Sequence, residues 1–82
     1  MKREEIEAIV KNFLIEEFEV DEKLITHEAL LKEDLGIDSL DFIDIVVIVE
    51  RNLGFKIKPE EMTDVRNFRQ FCDYMESKAG NQ

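Results

Sequence analysis

The stretch Asp34-Leu35-Gly36-Ile37-Asp38-Ser39-Leu40-Asp41 decides how this chain is read, because a long loop ends there and the most apolar helix of the sequence begins. Asp38 has the chemistry of an N-cap and Asp41 follows three residues later, so both carboxylates stabilise the positive end of the coming helix. Ser39 then falls in the first helical turn. A phosphate ester on its hydroxyl would lie close to backbone N–H groups that lack intrahelical partners, a setting that favours an anion.

Downstream, the spacing predicts a helix from Ser39 to Leu53, closed by Gly54 as a left-handed cap with Phe55 packing beyond it. Phe42, Val46, Val49 and Leu53 recur at four-three-four spacing and form a core stripe, widened by Ile43 and Ile45. Leu40, Asp44, Val47 and Arg51 repeat that spacing on the opposite side, joined by Asp41 and Ile48. A surface face that mixes apolar side chains with carboxylates marks a contact site.

Upstream, Ile6, Ile9, Val10, Phe13 and Leu14 define an amphipathic helix from Arg3 to about Phe18, with Glu4, Glu5 and Glu7 near its positive end and Lys11 placed to pair with Glu7. Residues Glu19 to Ile37 keep no period but contain Val20, Leu24, Ile25, Leu30, Leu31 and Leu35, so they read as a long loop pinned to the core. A short helical turn capped by Thr26 is expected up to Leu31. Beyond Gly54, Phe55 to Lys58 is an extended connection. Pro59 with Glu60 and Glu61 then opens a brief helix that ends near Met62 or Thr63. A last helix, capped at Asp64, carries Val65, Phe68, Phe71, Cys72 and Met75 on one side, and residues 79–82 are expected to fray. The resulting fold class is all-α: one domain over residues 1–82, a small bundle of three main helices plus one short helix, with a long ordered loop between helices one and two.

Composition narrows the function. A formal net charge of −9 on 82 residues opposes nucleic-acid binding, which needs clustered cations, and points to partners with basic patches. The longest apolar run, Ile45 to Val49, is far too short for membrane insertion, and the charged start Met1-Lys2-Arg3-Glu4-Glu5 lacks an apolar export signal. A monomer in the cytoplasm is therefore expected. One cysteine, Cys72, excludes an internal disulfide, and its place in an apolar stripe reads as core filling. His27 reads as a solvated loop residue. Counting a calcium loop from Asp34 puts Ser39 where a glycine is required, and no second metal-type spacing exists. Ser39 lacks the G-x-S-x-G elbow and a nearby base, so it is no hydrolase nucleophile, and the chain carries no catalytic set. An exposed serine with a capped helix behind it and no apparatus of its own reads as an attachment point.

At this step Leu35-Gly36-Ile37-Asp38-Ser39-Leu40-Asp41 resembles the modification motif of acyl carrier proteins, the phosphopantetheine-bearing proteins of fatty acid and polyketide synthesis. The likeness extends over nearly the whole chain, including the loop segment Ile25-Thr26-His27-Glu28-Ala29. It implies that a phosphopantetheinyl transferase moves 4′-phosphopantetheine from coenzyme A to Ser39, with Asp38 and Leu40 beside it. The arm would hold acyl groups as thioesters for acyl-transferring and chain-elongating synthase enzymes. By the same resemblance Leu40, Asp41, Asp44, Val47, Ile48 and Arg51 form the docking face, and Phe42, Val46 and Val49 border an acyl cavity. An aminoacyl or D-alanyl carrier and an unmodified helical adaptor are the alternatives. Arg51, where carboxylates usually continue, the bulky Phe42 and the short Lys58–Asp64 segment depart from the common pattern and suit a specialised carrier.

Overall fold

The computed structural model describes residues 2–80. Three helices carry the fold: α1 over Arg3–Phe18, α2 over Asp41–Leu53 and α3 over Phe68–Gly80. Short 3₁₀ turns at Glu22–Leu24 and Pro59–Met62 lie in the two connections. Among the described residues there is no strand, only an isolated antiparallel bridge between Leu30 and Asn67. This is the expected all-α bundle with a long loop between its first two helices.

The periodic apolar residues of α1 and α3 face each other. Ile6, Val10, Phe13 and Leu14 are buried against Phe68, Phe71, Cys72 and Met75, with the Phe13 and Phe71 rings edge-on at 6.2 Å between centroids. The start of α1 is then tied to the middle of α3 by charge. The Arg3 guanidinium bridges Glu7 (2.9 Å) on its own helix to Asp73 (2.7 Å) and Glu76 (3.0 Å) on α3. At the far end α1 stops where Glu19 turns left-handed at φ 57°, and Val20 enters the core.

Glu7 does not pair with Lys11 as its spacing suggests; it faces inward to Arg3 and to His27 Nε2 at 3.0 Å. His27 is correspondingly more than a solvated loop residue, for its ring also stacks on Phe68 at 6.2 Å and its carbonyl accepts the Arg69 N–H. The hydrogen bonds to His27 and then to Arg3 hold the Glu7 carboxyl below its ordinary pKa of 4.5, outweighing burial, which pushes it up. Because the folded value lies below the unfolded one, this stabilisation is present above the ordinary carboxylate range and is lost as pH falls through the folded value. Glu7→Gln should therefore lower the melting temperature near neutral pH, with the difference from the parent shrinking as pH falls through the folded value, below which the protonated acid and the amide are alike.

The loop is pinned by Val20, Ile25, Ala29, Leu31, Leu35 and Ile37, all buried, while Leu24 and Leu30 face outward. The helical turn expected over Thr26 to Leu31 does not form. A hydrogen bond from Ala29 N–H to the Thr26 carbonyl closes a single turn. Leu31 N–H then donates to the Arg66 carbonyl at 2.8 Å and Phe68 N–H to the Ala29 carbonyl at 2.9 Å. These pairings across the chain satisfy the backbone that a local helix would have used.

They also explain why α3 begins later than expected. Asp64 is not its cap; Asn67 accepts the Gln70 N–H at 2.8 Å, and the Gln70 side chain returns to the N–H groups of Arg66 and Asn67. Helix α3 also runs through Ala79 and Gly80 instead of fraying there, with Ala79 partly buried against the core; the expectation for 81–82 lies outside the described residues. The brief turn opened by Pro59 is present and is stapled to α3: Tyr74 accepts the Lys58 N–H and donates to Glu61, which also pairs with Lys78.

Candidate site at the start of the second helix

Gly36 sits at φ 72° in a left-handed turn, with Leu35 and Ile37 buried on either side of it. The chain therefore reaches Asp38 from a fixed floor. Asp38 Oδ1 accepts the N–H groups of Leu40 (2.9 Å) and Asp41 (3.2 Å), and Asp41 Oδ2 accepts the Asp38 N–H at 3.1 Å. The two carboxylates thus cap the helix reciprocally, as their spacing suggests. Helix α2 itself begins at Asp41, two residues later than expected, because Asp38 holds Ser39 and Leu40 in the turn that leads into it.

Ser39 is exposed on that turn, and the capping bonds bypass its hydroxyl. An anion there meets fewer open donors than a bare helix start would offer, since Asp38 has already engaged the N–H groups of Leu40 and Asp41. What the site provides is an accessible oxygen on a rigid base.

Along α2 each residue turns by roughly 100°, which separates two faces sharply. Ile45, Ile48 and Val49 point into the core, with Phe42, Val46 and Leu53 half-buried beside them. Leu40, Ile43 and Val47 stand in solvent at 73%, 60% and 58% exposure, with Asp44 and Arg51 exposed and Asp41 half-buried on the same side. Two expectations are corrected. Ile48, assigned to the docking face, is 5% exposed and belongs to the core, while Ile43, assigned to the core, lies outside. One step beyond Val47 rotates Ile48 under the helix, and two steps before Ile45 rotate Ile43 away from the bundle.

A groove of about 640 Å³ opens beside Ser39, between the loop, the first turn of α2 and the Pro59–Met62 turn. Leu31, Ile37, Phe42, Met62 and Val65 furnish its apolar walls. Of the three residues expected around a cavity, only Phe42 lines this space; Val49 is fully buried and Val46 packs against the core. Met62 and Val65 were missed because their part in the groove depends on the chain folding back over α2, and no local period encodes that. Cys72 is wholly buried and burial pushes its thiol up to about 12, which leaves it inert. Among the described residues no group of three or more His, Cys, Asp and Glu side chains converges as a metal site, and no helix is long and apolar enough to cross a membrane.

Residues 8–75 match the protein family described as "Phosphopantetheine attachment site". The chain is also 38% identical over 78 residues to the acyl carrier protein of Thermotoga maritima, covering 95% of this chain and 96% of that one. To the acyl carrier protein of Coprothermobacter proteolyticus it is 36% identical over 77 residues, 94% of each.

Proposed function

We propose, on the premise that the chain belongs to the phosphopantetheine-attachment family of acyl carrier proteins, that Ser39 is the residue esterified by the 4′-phosphopantetheine arm. Proteins of this family are carriers and not enzymes. The observation that carries the assignment is the exposed Ser39 hydroxyl on a turn braced by Asp38 and Asp41. A phosphodiester at this position needs an unhindered oxygen and room beside it, and the groove next to Ser39 gives that room, so the residues fit the group. When bound, the arm supplies a terminal thiol that holds acyl groups as thioesters.

The chain's own residues then divide the work. Asp38 and Asp41 keep the turn rigid, so a transferase meets Ser39 in one orientation. Leu40, Ile43 and Val47 offer an apolar contact beside Ser39, and Asp41 and Asp44 ring it with negative charge that matches basic patches on acyl-transferring and chain-elongating enzymes of fatty acid or polyketide type. Arg51 gives the lower end of this face the opposite sign and so tunes which partners match. Phe42 forms the groove wall against which an acyl chain could lie. A cytoplasmic place suits a carrier that draws its arm from coenzyme A.

Incubation with coenzyme A and a broad-specificity phosphopantetheinyl transferase tests the proposal. Intact-mass measurement should show the gain of a single phosphopantetheinyl group; a chain whose mass stays unchanged would contradict it.

A further inference from the structure

Charge divides sharply along α2. From Glu33 to Asp44 the chain carries Glu33, Asp34, Asp38, Asp41 and Asp44 and no cation, whereas from Arg51 to Lys58 it carries Arg51, Lys56 and Lys58 and no carboxylate. Arg51 shares its side of the helix with Leu40, Asp44 and Val47, because steps of four, three and four residues return to one face, and all four are exposed. It stands roughly 10 Å beyond Asp44 along the helix axis. Among the described residues the ion pairs engage Arg3, His27, Arg69 and Lys78 as their cations. Glu16 and Glu17 of α1 border a hollow with Arg51, and Glu50 adjoins it in the chain, yet none of them closes an ion pair with it. A cation in the last turn suits the negative end of the helix dipole. That role is served anywhere in the turn and does not require the outer face.

A partner surface that is basic throughout suits the Ser39 end of this face but meets a like charge at Arg51. A surface that is basic opposite Asp41 and Asp44, and acidic roughly 10 Å farther along the axis, meets opposite charge at both ends. We propose that Arg51 determines partner specificity by pairing with a carboxylate on the docking surface of the chain-elongating enzyme. It selects enzymes with this bipolar pattern and rejects those with an unbroken basic patch. A second copy of the chain would also bring carboxylates to Arg51, but two chains of net charge −9 repel each other, so the enzyme is the favoured occupant. The proposal rests on the outer face of α2 being the docking face.

The test uses the holo-protein and the chain-elongating enzyme from the same cells. Arg51→Lys keeps the charge and supplies a primary amine, which a carbodiimide can join to a carboxylate in contact. Fragmentation of the cross-linked peptides should place that link on an Asp or Glu of the enzyme. In titrations at low salt, Arg51→Met should weaken the complex about threefold and Arg51→Glu about tenfold, the scale of one exposed ion pair lost or reversed. Arg51→Lys should bind as the parent does. Tighter binding by Arg51→Glu, or no link from the introduced amine to the enzyme, would overturn the proposal; the docking face would still stand if Val47→Asp weakened the same complex. A complex that Val47→Asp leaves unchanged would overturn the docking face, and the role of Arg51 with it. A link to Asp41 or Asp44 of a second copy would overturn the enzyme as the occupant.

Discussion

Ser39→Ala is expected to abolish loading completely while leaving the fold unchanged. Loading needs a hydroxyl on the turn before α2, and alanine removes the only one there without adding bulk. Folding does not need it, because the bonds that hold the turn run between Asp38, Leu40 and Asp41, and Ser39 is exposed. Circular dichroism and the melting temperature should therefore match the parent, with a change in stability of no more than about 0.5 kcal/mol. Incubation with coenzyme A and transferase should add no mass. A variant that folds and still gains the group would place the attachment elsewhere.

The second large effect concerns the exposed face of α2. Val47→Asp should weaken binding to the transferase roughly tenfold or more, because a charge is placed at the centre of an apolar contact that the partner must desolvate. Val47 is 58% exposed in the free chain, so its own fold should tolerate the change. Ile48→Asp is the matched control. It buries a carboxylate among Ile45, Val49 and the rest of the core and should unfold the protein instead of selectively weakening a partner. Equal behaviour of the two variants in titration and melting experiments would contradict the division of α2 into an outer and an inner face.

Much of this was legible in the residues, and the parts that were not have a common cause. Helix α1 was readable because Ile6, Val10, Phe13 and Leu14 keep a helical period and the register breaks at Phe18. The cap at Asp38 and Asp41 and the stop at Gly54 were readable because capping is local chemistry. Sequence could not place the loop residues after Thr26 or the start of α3, since both are decided by hydrogen bonds between Ala29, Leu31, Arg66 and Phe68, far apart in the chain. The exchange of Ile43 and Ile48 has a different origin. On a helix apolar almost all round, composition does not say which side the bundle covers; that is set by where α1 and the Pro59–Met62 turn pack. The groove is likewise a product of tertiary approach, which is why Phe42 was found from the sequence and Lys32, Met62 and Arg66 were not.

With the arm assigned to Ser39, the chain offers a sharp internal comparison, because it has two serines, Ser39 and Ser77. Ser77 lies within α3, exposed but without a capped turn or the groove beside Ser39. Fragmentation mass spectrometry of the loaded parent protein locates the added group directly. It should be found on Ser39 alone; a group found on Ser77, or on any residue other than Ser39, would contradict the account.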